Sequence, residues 1–340
     1  MKITTKFLFS LSITILLLNL KTGFAQTAES KKITDIIDST LLIMKENAVN
    51  TKTVNWTEIR ANALKSAENL HSPYELGPTM RGIYKSLNDF HGAFFYRDST
   101  FQWHRNRSVV SDSVMNELKK GVSVKTELLE HQIGYLRIPG MSIIEDSDYN
   151  TKAQKLNDSL CTLLGKNVKG IIVDLRLNRG GAMHPMILGV ENLLSPGKVG
   201  SFVGKINDDW IIKDHQFLVG NKAISSITPK CNLNAQNLPV VILVGPQTAS
   251  SGEFLIMAFK GRKNTLLLGD TTAGFVTANH GFQVTKETSI NLSVGYGADR
   301  NGHAYTEAVT PDIQFSSVDQ FNNIKGDAKV KAAIEWLRAQ

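Results

Sequence analysis

Leu238-Pro239-Val240-Val241-Ile242-Leu243-Val244 runs into Gly245-Pro246-Gln247-Thr248-Ala249-Ser250-Ser251-Gly252-Glu253 and then into Phe254-Leu255-Ile256-Met257-Ala258-Phe259. The first run is short, apolar and rich in β-branched residues, the pattern of a strand buried on both faces. The last is an apolar helical run stopped by Lys260-Gly261-Arg262. The stretch between them is a strand-to-helix turn. Such a turn exposes a serine at the end of a sheet, where the unpaired amides of the helix's first turn receive a developing negative charge. Acyl-transfer enzymes place their nucleophile there. The simpler alternative is that Ser250 and Ser251 only cap the helix, with Glu253 completing a capping box.

A second buried-type strand lies in Lys169-Gly170-Ile171-Ile172-Val173-Asp174-Leu175-Arg176-Leu177-Asn178-Arg179-Gly180-Gly181. Paired glycines after a strand allow close backbone approach and inward-pointing amides, because no Cβ blocks the φ > 0 conformations that such turns use. Asp174 and Arg176 alternate at the strand's end, placed to brace the turn as a pair. Taken alone, the glycines also fit a plain strand-to-helix connection.

In this order, Asp-Leu-Arg-x-Asn-x-Gly-Gly and, about seventy residues on, Gly-x-x-Thr-Ala-Ser-Ser-Gly-Glu resemble the tail-specific (C-terminal processing) protease family and the related tricorn core proteases. The resemblance runs from about Ile133 to Asp312, with a further piece near His91. It implies an α/β fold with the ββα-superhelix core shared by the Clp protease and crotonase folds. It also implies Ser250 as nucleophile, with an oxyanion hole formed by the amide of Ser251 and that of Gly180 or Gly181.

The chain departs from the lysine-dependent branch of that family. Where a Thr-Phe-Gly-Lys-Gly-like stretch is expected, it has Thr271-Thr272-Ala273-Gly274-Phe275-Val276, with Phe275 at the lysine position. No lysine occurs between Lys263 and Lys286. In Ser195-Pro196-Gly197-Lys198, the Pro-Gly pair cannot hold serine and lysine on one helical face. A hydroxyl at its free pKa is a poor nucleophile, so a base is required elsewhere. The tricorn-like branch carries a histidine in a Leu-x-Asp-x-His stretch, which here is Leu87-Asn88-Asp89-Phe90-His91. It follows a helix expected over Thr79–Leu87, and imidazole titrates near neutral pH, as a general base should. The alternative for His91 is a histidine bonded to a backbone carbonyl; His184 and His280 are lesser rivals as base. An orienting glutamate would fall on Tyr305 by register, with the acid Glu307 two residues on, and the sequence leaves that position open.

Residues 1–25 carry Lys2 and Lys6, an apolar run over Phe7–Leu20 and the small-residue end Gly23-Phe24-Ala25. This predicts a signal peptide cleaved before Gln26, hence an exported, periplasmic or extracellular protein with no stable membrane insertion afterwards. The apolar run is short for a bilayer span and is interrupted by Ser10, Ser12 and Thr14. The formal charge is +7; removing three lysines with residues 1–25 leaves 7 − 3 = +4. That mildly basic balance, without clustered stripes, gives no basis for nucleic-acid binding. No metal-ligand spacing or phosphate-binding glycine motif occurs, so neither cofactor nor metal is expected. The two cysteines, Cys161 and Cys231, are permitted but not required to pair in such a compartment.

Periodicity predicts a mainly helical N-terminal domain over 26–125. Ile33, Ile36, Ile37, Leu41 and Met44 form one apolar face, and Trp56, Ile59 and Ala63 another. A catalytic core with alternating strands and helices is expected over 126–316, and a closing helix over 317–340. The family's PDZ module of some 80–90 residues has no room in the roughly 40 residues between His91 and Ile133. The function expected is a secreted serine peptidase acting on peptide or protein. The alternatives are a non-catalytic ligand- or peptide-binding protein on the same fold, as in modules of interphotoreceptor retinoid-binding protein, or a small-molecule esterase or amidase.

Overall fold

The computed structural model describes residues 29–52, 54–104 and 110–340. The expected signal peptide lies outside them. Helix α1 spans residues 29–47. It is followed by α2 (Trp56–Ala67), α3 (Gly77–Ser86), β1 (Ala93–Tyr96) and β2 (Ser99–Phe101). Next come α4 (Asp112–Lys119), β3 (Lys125–Leu128), β4 (Ile133–Arg137), α5 (Ser147–Leu164), β5 (Gly170–Asp174) and α6 (Met183–Gly189). A run of strands follows: β6 (Gly197–Gly204), β7 (Asp209–Lys213), β8 (Gln216–Val219) and β9 (Lys222–Ser226). Then come β10 (Val240–Val244), α7 (Ser251–Phe259) and β11 (Thr265–Gly269). The chain closes with β12 (Thr277–Gln283), β13 (Thr288–Asp299), β14 (Ile313–Gln314) and α8 (Ala328–Arg338).

These elements form two compact units. One contains the described residues up to 104 together with Asn279–Val294, and the other contains the described residues from 110 to 278 and Gly295–Gln340. The hairpin over 279–294, expected within the catalytic core, therefore groups with the N-terminal helices. Its strand supplies the reason: β13 pairs antiparallel with β1, Ala93 opposite Asn291 and Tyr96 opposite Thr288. Ile33, Ile37 and Met44 of α1 pack with Met80, Ile83 and Tyr84 of α3 and with Ile290 and Leu292 of β13. The helix expected over Thr79–Leu87 starts two residues earlier, with Pro78 in its first turn, where a missing N–H costs nothing.

The second unit is built on a six-stranded sheet in the order β14-β11-β10-β5-β4-β3. β14, β11, β10, β5 and β4 run parallel and β3 antiparallel. Alternate side chains face opposite layers, as strand geometry requires. Ile171, Val173, Val240, Ile242 and Val244 join the core with α5, α6 and α7. Ile172, Val241 and Leu243 pack instead on Val330, Ala333, Ile334 and Leu337 of α8. Each such side chain contributes about 1.5–3 kcal/mol on burial, which explains why both strands read as continuous apolar runs. An antiparallel meander, β6 to β9, lies in the same unit, its Trp210 ring 5.4 Å from that of Phe254 on α7. Cys161 of α5 forms a disulfide with Cys231, settling a pairing that the sequence left open. Between Phe101 and Lys125 the described residues hold one helix, α4.

Asp174 and Arg176 pair as their alternation suggests, within a larger buried network. Arg176 Nη2 lies 2.6 Å from Asp174 Oδ2, while Nη1 reaches Asp319 at 2.7 Å and Asp327 at 2.8 Å. The guanidinium also stacks over Phe321, and the Tyr135 hydroxyl donates to Asp174. Burial by itself would raise the Asp174 carboxyl; the Arg176 charge and the hydrogen bonds from Arg176 and Tyr135 together outweigh it and hold the group below the usual carboxylate range. Removing one member of such a cluster leaves the rest buried and uncompensated. Arg176→Met is expected to cost about 3–5 kcal/mol in urea unfolding, and an unchanged midpoint would contradict the network's role.

Candidate active site

β5 and β10 are parallel neighbours, with Leu243 opposite Asp174. Their two turns therefore leave the carboxyl edge of the sheet side by side, the edge where open α/β sheets bind ligands. Backbone and side-chain bonds join the turns. The Ala249 N–H donates to the Asn178 carbonyl at 3.0 Å, the Thr248 hydroxyl to the Leu175 carbonyl at 2.9 Å, and the Ser251 hydroxyl to the Gly181 carbonyl at 2.5 Å.

Ser250 sits at φ 53°, ψ −119°, immediately before α7. A non-glycine residue in such a conformation costs about 1–3 kcal/mol and persists only where its surroundings over-determine it. One restraint is the glutamate half of the capping box: the Ser250 N–H donates to Glu253 Oε2 at 2.9 Å. Another is close contact with Gly180, where a Cβ would stand 2.8 Å from Ser250 Cβ and 3.3 Å from its Oγ. Gly180 and Gly181 have φ of 97° and 110°. A Cβ on Gly181 would collide with the Met141 carbonyl.

The two glycines are not equivalent. Gly180 donates its N–H to Asn178 Oδ1 at 3.0 Å, and Asn178 is itself fixed through Nδ2 to the carbonyls of Ile138 and Pro139. Met141 and Ala182 bond around Gly181 without using its amide. Among the described residues, the N–H groups of Gly181 and Ser251 thus have no protein acceptor, whereas the Gly180 amide is committed. Of the two glycines named as alternatives, geometry leaves Gly181 as the available donor. Asn178 belongs to the Asn-x-Gly-Gly signature, yet its bracing role is visible only once Ile138 and Pro139 are alongside.

Glu253 is fully buried. Its Oε1 accepts from the Thr272 hydroxyl at 2.5 Å and the Gly274 N–H at 2.8 Å, and the Phe275 amide also donates to the carboxylate. Phe275, at the position where the resemblance expects lysine, is buried. Lys198 of the Ser-Pro-Gly-Lys stretch pairs with Asp209. Burial pushes the Glu253 carboxyl up to about 7, and the neutral donors around it pull it back only in part. A carboxyl that takes up its proton more readily when folded makes the native state bind more protons than the unfolded chain between about 4.5 and 7. Its contribution to stability is therefore present at the acid end and falls as pH rises through that window, by on the order of 3 kcal/mol. Thermal unfolding from pH 4.5 to 8 is expected to show this fall in the native protein, and Glu253→Gln to lose it.

His91 lies in the first unit, in the loop between α3 and β1. Asp89, buried, folds that loop: Oδ1 accepts the N–H groups of His91 at 3.2 Å and Gly92 at 2.8 Å, while both oxygens bond Ser293. Asn279 Nδ2 donates to the His91 carbonyl at 3.0 Å. The rival histidines are otherwise engaged. His184 is wedged between Tyr149 and Phe217, and burial lowers it to about 4. His280 meets Phe282 edge to face. Tyr305 turns its hydroxyl to Asp299 at 3.4 Å, and Glu307 is exposed. Among the described residues no group of histidine, cysteine and carboxylate side chains is arranged to hold a metal ion.

A serine held on a strained turn at the carboxyl edge of a parallel sheet, with unspent amides beside it, is the geometry of hydrolases that work by acyl transfer. The sequence model of Peptidase family S41 matches residues 132–315, more than half the chain. The chain belongs to peptidase family S41 and is a serine-type peptidase on the α/β Clp-protease-like fold, related to the C-terminal processing proteases. It is 26% identical over 298 residues to the nisin-resistance protein of Lactococcus lactis subsp. lactis, covering 87% of this chain and 84% of that one. The carboxy-terminal processing protease CtpA of Bacillus subtilis is 24% identical over 213 residues, 62% of this chain but only 41% of the relative. Among solved structures, a lipoprotein from Streptococcus agalactiae superimposes with a TM-score of 0.67 at 22% identity, over 92% of this chain and 96% of the other.

Proposed function

We propose that this chain is an exported serine peptidase that cleaves peptide bonds through an acyl-enzyme, with Ser250 as nucleophile and His91 as general base. The observation that carries the reading is the strained Ser250 turn with two uncommitted amides beside it. Ser250 Oγ attacks the scissile carbonyl as His91 takes its proton. The amides of Ser251 and Gly181 receive the oxyanion, helped by the N-terminus of α7. His91 then protonates the leaving amine, and water repeats the sequence to release the acyl group. Phe275 in place of lysine supports an imidazole base, because no lysine between Lys263 and Lys286 supplies an amine there. Export is supported by the pattern of residues 1–25 and by the Cys161–Cys231 disulfide, a bond favoured in oxidising compartments.

Ser250→Ala is expected to abolish hydrolysis and fluorophosphonate labelling while the protein stays folded. Ser251→Ala should retain most activity, since only its amide is used. Labelling that maps to Ser251, or full activity in Ser250→Ala, contradicts the assignment. His91→Ala should remove most of the rate at every pH, leaving the residual turnover that binding and the oxyanion site provide. His184→Ala and His280→Ala should stay active; a dead His280 or His184 variant beside an active His91→Ala would move the base.

Gly180 and Gly181 separate by mechanism. Gly180→Ala adds a Cβ against Ser250 itself, whereas a bulky residue at Gly181 displaces the donor. Gly181→Val should lower kcat by about 100-fold or more with a smaller change in KM. Steady-state kinetics unchanged in both variants would show that the turn is only structural.

A further inference from the structure

We infer that Glu253, as a carboxylate, is a positioning residue that holds Ser250 in its reactive conformation; this rests on Ser250 being the nucleophile. The carboxylate is the common acceptor for two separate pieces of chain. Oε2 takes the N–H of Ser250, the residue under backbone strain. Oε1 takes the Thr272 hydroxyl and the Gly274 N–H, and the Phe275 amide also bonds the group. A fully buried acceptor with several converging donors and no cation beside it has one function that geometry supports. It ties the strained turn to the segment 272–275, which replaces the lysine-bearing stretch of other family members.

The donors bonded to Glu253 are all neutral. Burial is opposed chiefly by hydrogen bonds from Thr272, Gly274, Ser250 and Phe275, and among the described residues no cationic side chain forms an ion pair with it. Thr272 has little freedom to adapt, because its hydroxyl oxygen also accepts the Val309 N–H at 2.8 Å. Only the ionised carboxylate satisfies every donor with charge-assisted bonds. Once protonated, it gives up acceptor capacity, and the restraint on the Ser250 N–H weakens. With the carboxyl near 7, that loss falls in the range where an imidazole base also becomes protonated. Two groups, not one, then shape the acid side of the reaction.

The test is the rate of fluorophosphonate labelling of Ser250 in the full-length protein, measured from pH 5 to 9 and normalised to folded protein. The native enzyme should lose rate on the acid side with a dependence approaching two protons. Glu253→Gln offers one acceptor oxygen and turns an NH2 group toward the remaining donors. It should label on the order of tenfold more slowly above pH 8, with an acid limb reduced to one proton. Thr272→Val removes a donor to the carboxylate, which raises an acid's pKa, and should move the limb upward by about half a unit or more; Thr272→Ser should leave it in place. Loss of thermal stability in Glu253→Gln with an unchanged rate per folded molecule, or a limb unmoved in Thr272→Val, overturns the inference. If Ser250→Ala still labels at full rate elsewhere, the nucleophile is misassigned; if it is dead while the Glu253 and Thr272 variants behave as wild type, only the positioning role fails.

Discussion

The backbone of Ser250 is held where a serine does not rest by itself. Three features of the fold maintain it: the absence of a side chain at Gly180, the Asn178 carbonyl that fixes Ala249, and the buried carboxylate of Glu253. The first two come from the turn after β5 and the third from α7, whose carboxylate is held in turn by the segment beyond β11, so the turn is stable only after these pieces have assembled. A strain of about 1–3 kcal/mol is small beside the burial of the surrounding sheet, which explains how the fold can sustain it. Beside Ser250, among the described residues, the Ser251 amide has no protein acceptor.

Beneath that edge, the parallel sheet owes its position to a two-sided core and to a cluster of charges. Arg176 binds three aspartates while lying almost wholly buried, and Lys329 of α8 shares Asp319 with it and also pairs with Asp270. Buried ion clusters of this kind add little net stability over an apolar replacement, but they are severe on any arrangement that leaves a member unpaired. Here they tie the strand end of β5 to the C-terminal segment, so the Gly-Gly turn begins from a fixed point. The disulfide acts elsewhere in the unit, pinning the irregular segment before β10 to α5.

Much of this was legible in local patterns. β10 falls within two residues of its expected place, and the closing helix occupies Ala328–Arg338 of the expected 317–340, because long apolar runs and helical spacing are set by neighbours in sequence. The Asp174–Arg176 pair was also readable, being two residues apart at the end of one strand. Its partners Asp319 and Asp327 were not, since nothing local marks an aspartate nearly 150 residues away as the mate of an arginine. The grouping of residues 279–294 with the N-terminal helices was equally hidden, for it depends on the pairing of β13 with β1.

The sequence by itself determined the strand-turn-helix around Ser250, the glycine pair after β5, and, through Phe275, the loss of the usual lysine. Those are matters of residue type and short-range order. Only the tertiary structure decided which glycine amide stays open, because Gly180 loses its donor to Asn178 and Gly181 does not. It likewise decided that Cys161 and Cys231 meet, and that Glu253 is more than a cap. A capping box is a contact three residues long; the bonds from Thr272 and Gly274, and the burial that holds this acid near neutrality, exist only where distant segments close around it.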